Sequence, residues 1–596
     1  MRIMLVTIPL RGKPDRTIPV ACLSLMKYLR KNGVEAEVYF YHIDALRPRY
    51  EDALATIQNW KPDILGISAV VSTAYAYTKN LSLDVKAMFP NTLVVVGGNL
   101  AASAEILLRR TGTDICVLGE GEIPFLNIVR RAETTRKPTD FMDVPGVAVL
   151  DPNGQLHNSG YAPTLAPMEI WDYDNEDLEK SADIGWYIYP AFDADGKPAD
   201  QWIREHPKSY EPHRRNKYVA SLYVSKGCVA RCTFCHRWDK GLRHIPVDRL
   251  MRSLDRLVER YNVGFLKTDA ETFGNDKRWL AEFCDRLKPY DVLARAGGVR
   301  VNTIDQDWIG RLSNAGYISL VYGNETGSED MLKIMEKKVS LEDNYNAIKW
   351  TVAAGITTGV QLVLGMPGET PKTIRETIEY CKRVLTYSKD QDINSVSSNY
   401  AQALPGTPLY EYARAKGLIE PGLDGEEKYL LEISDQNAYD ALESINFTDS
   451  PLLTCMTWRP LISVETKHHY QKVFGREHYL KCAAKSLELE DGAPVPPSLL
   501  SLVLRSKFGE AILWYPHVFH YLTWTLHIQM LFVSARRKGF GYAWALVRDF
   551  ADNVGKRLLQ QGRKFEYAHQ SLRKIVEREI QPYAEGDPMT ILRKGR

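Results

Sequence analysis

Three cysteines in one short loop constrain this chain more than any other feature. Cys228, Cys232 and Cys235 have the spacing C-x3-C-x2-C, and Phe234 lies directly before the third. Such a loop can direct three thiolates at one cluster, yet they ligate only three irons of a [4Fe-4S] cube. An electron-transfer cluster normally has four cysteine ligands. The fourth iron is then open to a substrate or cosubstrate.

Two other interpretations of the cysteines compete with a cluster. Zinc usually takes four ligands in two pairs, and His236 could complete a Cys3His set, although adjacent residues rarely bind the same metal ion. A disulfide does not suit the odd number of cysteines in the loop. The downstream motifs favour the cluster.

The cysteine spacing resembles the signature of the radical S-adenosylmethionine (SAM) enzymes. The resemblance implies that SAM chelates the open iron through its amino and carboxylate groups. One electron, from a donor of the flavodoxin or ferredoxin type, then cleaves SAM to a 5'-deoxyadenosyl radical. The family's usual Pro-Tyr after the first cysteine is Val229-Ala230 here, which leaves the ligands intact.

Length and charge set the outer limits of the interpretation. A chain of 596 residues is expected to form several domains, because single cores stop growing near roughly 250–300 residues. The net charge of +2 gives no reason to expect a nucleic-acid partner. The other six of the nine cysteines are scattered singly, and the N-terminus runs straight into a strand-like segment without a signal peptide. A cytoplasmic protein is expected.

The first part of the chain alternates short apolar runs with amphipathic stretches, which predicts a parallel sheet of the Rossmann type. The predicted strands are Ile3–Thr7, Glu35–Phe40, Asp63–Ser68, Thr92–Val96 and Asp114–Leu118. Ligands of such sheets bind at the carboxyl ends of the strands. The residues predicted to bind there are Ser68, Ser72, Thr73, Gly97, Gly98, Gly119, Glu120, Gly121 and Glu122.

The ordered set of these loops is similar to the cobalamin-binding domain that precedes the radical SAM core in one large subfamily. Val95-Val96-Gly97-Gly98 matches its "vvGG" strand end, and Gly119–Glu122 matches its "GEGE" segment. The Asp-x-His-x-x-Gly signature that donates a histidine to cobalt in other proteins is absent. The resemblance therefore implies base-off cobalamin without a histidine ligand; a degenerate domain that binds nothing is the alternative.

From Val219 the alternation of strands and helices resumes, and six such units suit a partial (β/α)6 barrel of the TIM type with its chemistry at the strand ends. Resemblance to the family assigns the SAM contacts to Phe234, Arg300, Glu325 and Gly365. Candidate catalytic residues near the ends of the second and fourth strands are Asp269, Glu271 and Tyr322. Outside this context, most of these side chains would be ordinary surface or ion-paired residues.

The predicted domains are a cobalamin-binding domain at 1–140, a linker at 141–218, a radical SAM core at 219–415 and a mostly helical C-terminal domain at 416–596. Residues 511–535 carry no Asp, Glu, Lys or Arg but include His517, His520 and His527. A buried helix pair is the first interpretation, peripheral membrane contact the second, and a membrane-spanning helix a distant third. The histidines could ligate a metal, although packing is the commoner role.

The motifs together predict a cobalamin-dependent radical SAM methyltransferase. The resemblance implies that the adenosyl radical abstracts hydrogen from an unactivated carbon of a small, apolar or planar substrate, which then takes the methyl group of methylcobalamin. The alternatives are an oxidative cyclase or oxidase, such as the anaerobic cyclase of chlorophyll synthesis, and a cobalamin or Fe-S sensor without turnover. A methylthiotransferase suits the chain less, because a second cysteine triad is missing.

Overall fold

The computed structural model describes residues 1–487 and 518–559, except 11–15, 237–240, 269, 435–437 and 439. The strands are β1 (Arg2–Thr7), β2 (Glu37–Tyr41), β3 (Ile64–Ser68), β4 (Leu93–Gly97), β5 (Ile115–Val117), β6 (Val147–Leu150), β7 (Leu156–Asn158), β8 (Tyr189–Pro190), β9 (Tyr218–Ser221), β10 (Ser225–Lys226), β11 (Arg243–His244), β12 (Val263–Thr268), β13 (Leu293–Val299), β14 (Tyr317–Glu325), β15 (Thr357–Leu364) and β16 (Val396–Tyr400).

The helices follow the strands in a largely alternating order. They are α1 (Val20–Lys31), α2 (Ile43–Leu46), α3 (Tyr50–Trp60), α4 (Tyr75–Met88), α5 (Ala104–Arg110), α6 (Glu122–Arg131), α7 (Asn175–Ser181), α8 (Gln201–Glu205), α9 (Val247–Tyr261), α10 (Lys277–Leu287), α11 (Gln306–Asn314), α12 (Glu329–Ile334), α13 (Leu341–Ala353), α14 (Pro371–Leu385), α15 (Pro408–Ala415), α16 (Gly422–Ser434), α17 (Leu452–Phe474), α18 (Arg476–Leu487), α19 (Val518–Lys538) and α20 (Phe540–Leu559).

The chain divides into two compact units. Of the described residues, the first unit takes those within 1–298 and 403–437, and the second takes those within 299–402 and 438–559. Each unit is therefore discontinuous in sequence. The predicted domain boundaries stay predictions.

The N-terminal sheet of the first unit has the strand order β2-β1-β3-β4-β5-β6-β7. Strands β1 to β5 are parallel, as the apolar runs predict, and β6 and β7 add antiparallel strands from segment 147–158. Val94, Val95 and Val96 are all buried, which is typical of a central parallel strand covered on both faces. The sheet therefore aligns the carboxyl ends of β1, β3, β4 and β5 along one edge.

The first unit also contains β8, β9, β12 and β13. Strands β9, β12 and β13 are parallel, and β8 pairs antiparallel with β9. Between β9 and β12, β10 and β11 form a short antiparallel hairpin with Lys226 opposite Arg243. The cysteine loop lies inside this hairpin and begins directly after β10.

Helix α16 also belongs to the first unit, although it follows the core in sequence. Its Glu427 carboxylate accepts hydrogen bonds from the Tyr75 hydroxyl, at 2.8 Å, and the Lys79 ammonium, at 2.6 Å. Asp424 pairs with Arg110 of α5, and the Ser434 hydroxyl accepts from the Ala76 N–H. A segment from the C-terminal part of the sequence thus covers helices α4 and α5.

In the second unit, β14, β15 and β16 form consecutive parallel pairs. Helices α11, α13 and α14 accompany these strands, and α17 packs against α14, α19 and α20. Three side chains spaced four residues apart on α19 are exposed: Trp524, Ile528 and Phe532. Phe540 and Trp544 of α20 are exposed as well, at 86% and 62%.

The helical part bears on the prediction of membrane contact. Within the residues that the structure describes, no helix combines the length and apolarity needed to cross a bilayer. Residues 511–517, with His517, lie outside the described residues. The prediction of peripheral contact through 511–535 stays a prediction.

Candidate cofactor and active site

The N-terminal sheet ends in a cavity of about 410 Å³, within the size range of ligand pockets. Strand-end residues of β3, β4 and β5 line it: Ser68, Gly97, Gly98, Gly119, Glu120, Gly121 and Glu122. Ser72 and Thr73 belong to a short 3-10 turn, Ser72–Ala74, just after β3. The structure thus brings most of the predicted cobalamin-binding residues to one cavity.

Two glycines at this edge cannot be replaced without strain. Gly98 has a φ of +89°, and a Cβ built on it would lie 2.5 Å from the Ala69 carbonyl oxygen. Gly119 has a φ of +78°, and its Cβ would lie 2.8 Å from the Tyr161 ring. Only glycine adopts such φ values readily, so Gly98 permits the close approach of the Ala69 backbone and Gly119 that of the Tyr161 ring.

Gly97 differs from these two glycines. A Cβ added there would meet only the Cβ of Val117, at 3.8 Å, which is an ordinary contact. The space beside Gly97 therefore opens into the cavity. Apolar residues such as Ile18, Val95 and Phe125 line other parts of the wall. A glycine-lined edge with apolar walls fits part of a large, flat corrinoid.

His42, at the end of β2, also lines the cavity, and sequence reasoning missed it. Its Nδ1 is 2.8 Å from the Thr7 hydroxyl oxygen, and its Nε2 is hydrogen-bonded to the Tyr187 hydroxyl. Burial lowers the pKa of His42 to about 4, so the ring is neutral at pH 7. With both nitrogens engaged, His42 orients its neighbours and offers no lone pair to a metal. No motif surrounds it in the sequence.

Glu120 is buried at the cavity edge, and both of its carboxylate oxygens are bonded. Arg243 donates to both oxygens, at 3.1 Å to Oε2, and the Leu165 N–H donates to Oε2 at 3.0 Å. Burial alone would raise the pKa of this carboxyl. The hydrogen bond from Arg243, the charge of Lys226 and the Leu165 N–H outweigh burial and hold the pKa below its ordinary value. Glu120 is therefore a carboxylate at neutral pH.

Glu122 begins helix α6 and is buried as well. Its carboxylate accepts a hydrogen bond of 3.4 Å from the Ser24 hydroxyl of α1. A negative charge in the first turn of a helix is favoured by the helix dipole. The second glutamate of the segment thus stabilises the start of α6.

The cysteine loop fits a cluster through its donor chemistry. Within the described residues, none of Cys228, Cys232 and Cys235 forms a disulfide, and Cys235 is exposed. The Ala230 N–H donates to the Cys228 sulfur at 3.4 Å, so the backbone of the loop turns toward its first cysteine. Among the described residues, no group of three or more His, Cys, Asp or Glu side chains is arranged around a single metal ion. An iron–sulfur cube spreads its cysteines over different irons, so it does not require such an arrangement.

Neighbouring segments of the first unit hold the loop from outside. The Thr233 carbonyl accepts a hydrogen bond of 3.0 Å from the Leu409 N–H at the start of α15. A Cβ on Gly406, whose φ is +90°, would lie 3.0 Å from His236 Nε2 and 3.4 Å from the Ala102 Cβ. Segment 405–410 therefore packs closely on the residue that follows the third cysteine. Phe234 is half-buried within the loop.

His236 and Glu271 line the same cavity as the strand-end loops of the N-terminal sheet. Glu271 is exposed and follows β12. Its predicted companion, Asp269, lies outside the described residues. One cavity of the first unit thus receives residues from the predicted cobalamin loops, the cysteine loop and the end of β12.

The remaining predicted site residues lie in the second unit. Glu325 has a φ of +64° at the end of β14, and its Oε1 accepts a hydrogen bond of 2.5 Å from the Lys337 ammonium. Both side chains are buried, and the Arg300 guanidinium donates to the Lys337 carbonyl. Lys337 therefore joins the two predicted SAM contacts, a role that no sequence motif indicated.

Gly365 and Tyr322 differ in their surroundings. Gly365 has a φ of +79°, and its N–H donates to the carboxylate of Glu369. Burial raises the pKa of Glu369 to about 8, although the Gly365 and Met366 N–H groups oppose the shift. Tyr322 is fully buried, and its hydroxyl lies 2.8 Å from the Thr351 hydroxyl of α13. Its catalytic role stays a prediction.

Comparison with known proteins agrees with this geometry. Residues 222–381 match the Radical SAM superfamily, and residues 14–129 match the B12 binding domain. The chain is 27% identical over 397 residues to the anaerobic magnesium-protoporphyrin IX monomethyl ester cyclase of Rubrivivax gelatinosus, covering 65% of this chain and 64% of the cyclase. The chain thus spans slightly less than two thirds of that relative.

Two further proteins bear on fold and activity. Cytidylyl-2-hydroxyethylphosphonate methyltransferase of Streptomyces wedmorensis is 23% identical over 62% of this chain and 70% of its own length. The solved structure of the cobalamin-dependent S-adenosylmethionine radical enzyme OxsB, with aqua-cobalamin and S-adenosylmethionine bound, superposes with a TM-score of 0.57 at 15% identity. The superposition covers 100% of this chain and 83% of the OxsB chain. The predicted fold class is confirmed: a Rossmann-like cobalamin-binding domain, a partial barrel and a helical C-terminal region.

Proposed function

We propose that the chain is a cobalamin-dependent radical SAM enzyme and that it methylates an unactivated carbon of a small-molecule substrate. The cavity of the first unit carries this proposal, because strand-end loops of the B12-binding domain and residues beside the cysteine loop line it together. A methyl donor and a radical source must act on the same substrate atom, so their sites have to open into shared space. The methyltransferase among the relatives supports the choice of reaction.

The cofactors of this family have matching residues in the chain. Cys228, Cys232 and Cys235 would hold the [4Fe-4S] cluster, and the glycine-lined edge at Gly97 and Gly121 would hold cobalamin. When bound, the cluster and SAM supply a hydrogen-abstracting radical and cobalamin supplies the methyl group. The protein contributes positions, charges and the exclusion of water.

Residues of the second unit suit the binding of SAM. Lys337 neutralises the Glu325 carboxylate on one oxygen, and hydrogen bonds to the other oxygen would be charge-assisted. The Arg300 guanidinium, anchored on the Lys337 carbonyl, would bind the SAM carboxylate. Gly365 has a φ that favours glycine, and it brings no side chain to the region assigned to adenine.

The substrate class is proposed as apolar or planar. Aromatic residues in the C-terminal helices support this class by composition, and unchanged turnover after truncation near residue 420 would contradict a role for them. Electrons would come from an external donor of the flavodoxin or ferredoxin type. Oxidative cyclisation is the second candidate reaction, because a relative is named as the anaerobic cyclase.

The test uses anaerobically reconstituted full-length protein and a Cys232→Ala variant. Iron, cobalamin and 5'-deoxyadenosine are measured with SAM carrying a deuterated methyl group and a panel of candidate substrates. The wild type should retain about four irons and about one cobalamin per chain and should transfer the labelled methyl group. The variant should lose the cluster and keep cobalamin.

Three other results would each contradict one part of the proposal. A product that loses hydrogen or gains oxygen without label favours the cyclase or oxidase. Absence of 5'-deoxyadenosine under reducing conditions with every substrate would contradict an enzymatic role. Zinc in place of iron would overturn the assignment of the cysteine loop.

A further inference from the structure

We infer that the Glu120–Arg243 ion pair is a positioning element that fixes the cysteine-loop hairpin against the cobalamin-binding loop. The inference rests on the proposed function for its catalytic consequence, but its structural basis is independent. Sequence analysis assigned Glu120 to cofactor contact. The geometry points to a different role.

The ion pair joins two segments that are far apart in sequence. Glu120 lies in the Gly-Glu-Gly-Glu loop after β5, and Arg243 lies in β11, 123 residues later. Strand β11 pairs with β10, where Lys226 stands opposite Arg243. Since Cys228 follows two residues after Lys226, the pair acts at the base of the cysteine loop.

Several hydrogen bonds hold the pair in place. Arg243 binds both oxygens of Glu120 and also donates to the Leu165 carbonyl, at 2.8 Å, while the Leu165 N–H returns a hydrogen bond to Glu120. A two-point guanidinium–carboxylate contact fixes direction as well as distance. Lys226, itself buried, adds a second positive charge beside the carboxylate. Both carboxylate oxygens are thus occupied by protein groups.

A second contact holds the other end of the loop. Gly406 lies against both His236, which follows Cys235, and Ala102 of the N-terminal domain. The loop is therefore held at both ends, and the polar contact alone can be removed without dismantling the other. A radical that forms beside one cofactor and a methyl group held on another must meet at one carbon atom. Small displacements between positioned reactants lower the rate strongly.

The experiment compares Glu120→Gln, Arg243→Met and Arg243→Lys with a matched control, Asp114→Asn. Asp114 directly precedes β5, at the end opposite Glu120, and its carboxylate binds Lys86 and the Val94 N–H. Its side chain is 14% exposed, against 6% for Glu120. The control therefore removes a comparable ion pair from the same strand without touching the hairpin. All proteins are full-length.

The first measurement is amide hydrogen exchange of segment 225–244, with and without reconstituted cofactors. The second is the amount of 5'-deoxyadenosine formed per methyl group transferred. We expect the amides of this segment to exchange at least several-fold faster in Glu120→Gln and Arg243→Met, while both variants retain iron and cobalamin. Both variants should also form several-fold more 5'-deoxyadenosine per methyl group transferred. Arg243→Lys should recover part of both losses, and Asp114→Asn should show neither.

Unchanged exchange of the segment in Glu120→Gln would overturn the inference. So would loss of cobalamin from a variant whose hairpin stays protected, because Glu120 would then be a cofactor contact. Equal effects in Asp114→Asn would mean that the Glu120–Arg243 pair only stabilises the fold, and this result would also overturn the inference. If the wild type transfers no methyl group, the proposed function fails, while exchange in the cofactor-free protein still decides the positioning role.

Discussion

Replacing Gly98 by alanine tests the strand-end architecture on which the cobalamin site depends. Gly98 has a φ of +89° and a ψ of −173°, a region that costs other residues about 1–3 kcal/mol. The new Cβ would lie 2.5 Å from the Ala69 oxygen and 2.8 Å from its carbonyl carbon. That same oxygen accepts the Leu100 N–H at 3.2 Å, so relief of the clash disturbs this hydrogen bond.

The expected loss of stability combines the conformational strain at Gly98 with the clash between the new Cβ and the Ala69 carbonyl. Overpacking against fixed backbone adds about 1–3 kcal/mol to the conformational strain, so Gly98→Ala should lower the free energy of unfolding by about 2–6 kcal/mol. Gly97→Ala is the matched control, because its Cβ has only an ordinary contact at 3.8 Å and faces the cavity. It should leave stability within about 1 kcal/mol and reduce the cobalamin retained after reconstitution.

Urea unfolding of the cofactor-free proteins, followed by circular dichroism, gives the stabilities, and absorbance of the reconstituted proteins gives cobalamin content. The reasoning is refuted if Gly98→Ala is as stable as Gly97→Ala. It is also refuted if Gly97→Ala retains cobalamin at the wild-type level, because the space beside Gly97 would then not belong to the cofactor.

Three further predictions concern the second unit. Lys337→Met leaves a buried carboxylate unpaired and should lower stability by about 3–5 kcal/mol in urea unfolding, whereas Lys333→Met, at an exposed pair, should change it by less than about 1 kcal/mol. Glu369 has a raised pKa, so the folded state binds more protons than the unfolded state between about pH 4.5 and 8, and stability should fall as pH rises through that window. Glu369→Gln should flatten this fall in thermal unfolding, and a parallel pH profile would contradict the assignment. Trp544→Ser should weaken sedimentation with vesicles rich in phosphatidylserine if α20 contacts membranes, while Val473→Ser, also exposed, should not; equal binding by both variants and wild type would exclude that contact.

The sequence specified the strands better than the contacts between distant residues. The run Leu93–Gly97 is rich in valine and ends in glycine, and short runs of this kind between amphipathic stretches favour buried parallel strands. Strands β1 to β5 were therefore predictable. Strand β6 is apolar but only four residues long, and β7 is shorter and partly polar. Their pairing depends on the sheet edge that β5 offers. The residue pattern within β6 and β7 does not show that β5 leaves a free edge for them to pair with.

In the candidate site, too, local motifs were predictable and contacts between distant residues were not. Motifs identified the cysteines and the Gly-Glu-Gly-Glu loop, because each role depends on residue type and close spacing. Motifs could not identify Arg243 or Lys337, whose roles depend on which carboxylate the fold brings near them. His42 was missed for the same reason, since its hydrogen bonds come from Thr7 and Tyr187. A sequence shows where a glutamate lies, but it does not show which side chain the fold pairs with its carboxylate.

The contact of α16 with α4 has a consequence for how the protein is made. Lys79 and Glu427 are 348 residues apart, so at about 5–20 residues per second the ribosome needs roughly 20–70 s to supply the second after the first. During that interval, the surface of α4 and α5 that α16 later covers stays open on the growing chain. That surface is then accessible to chaperones and proteases that act on nascent chains, and slow translation of the middle of the message would prolong this exposure.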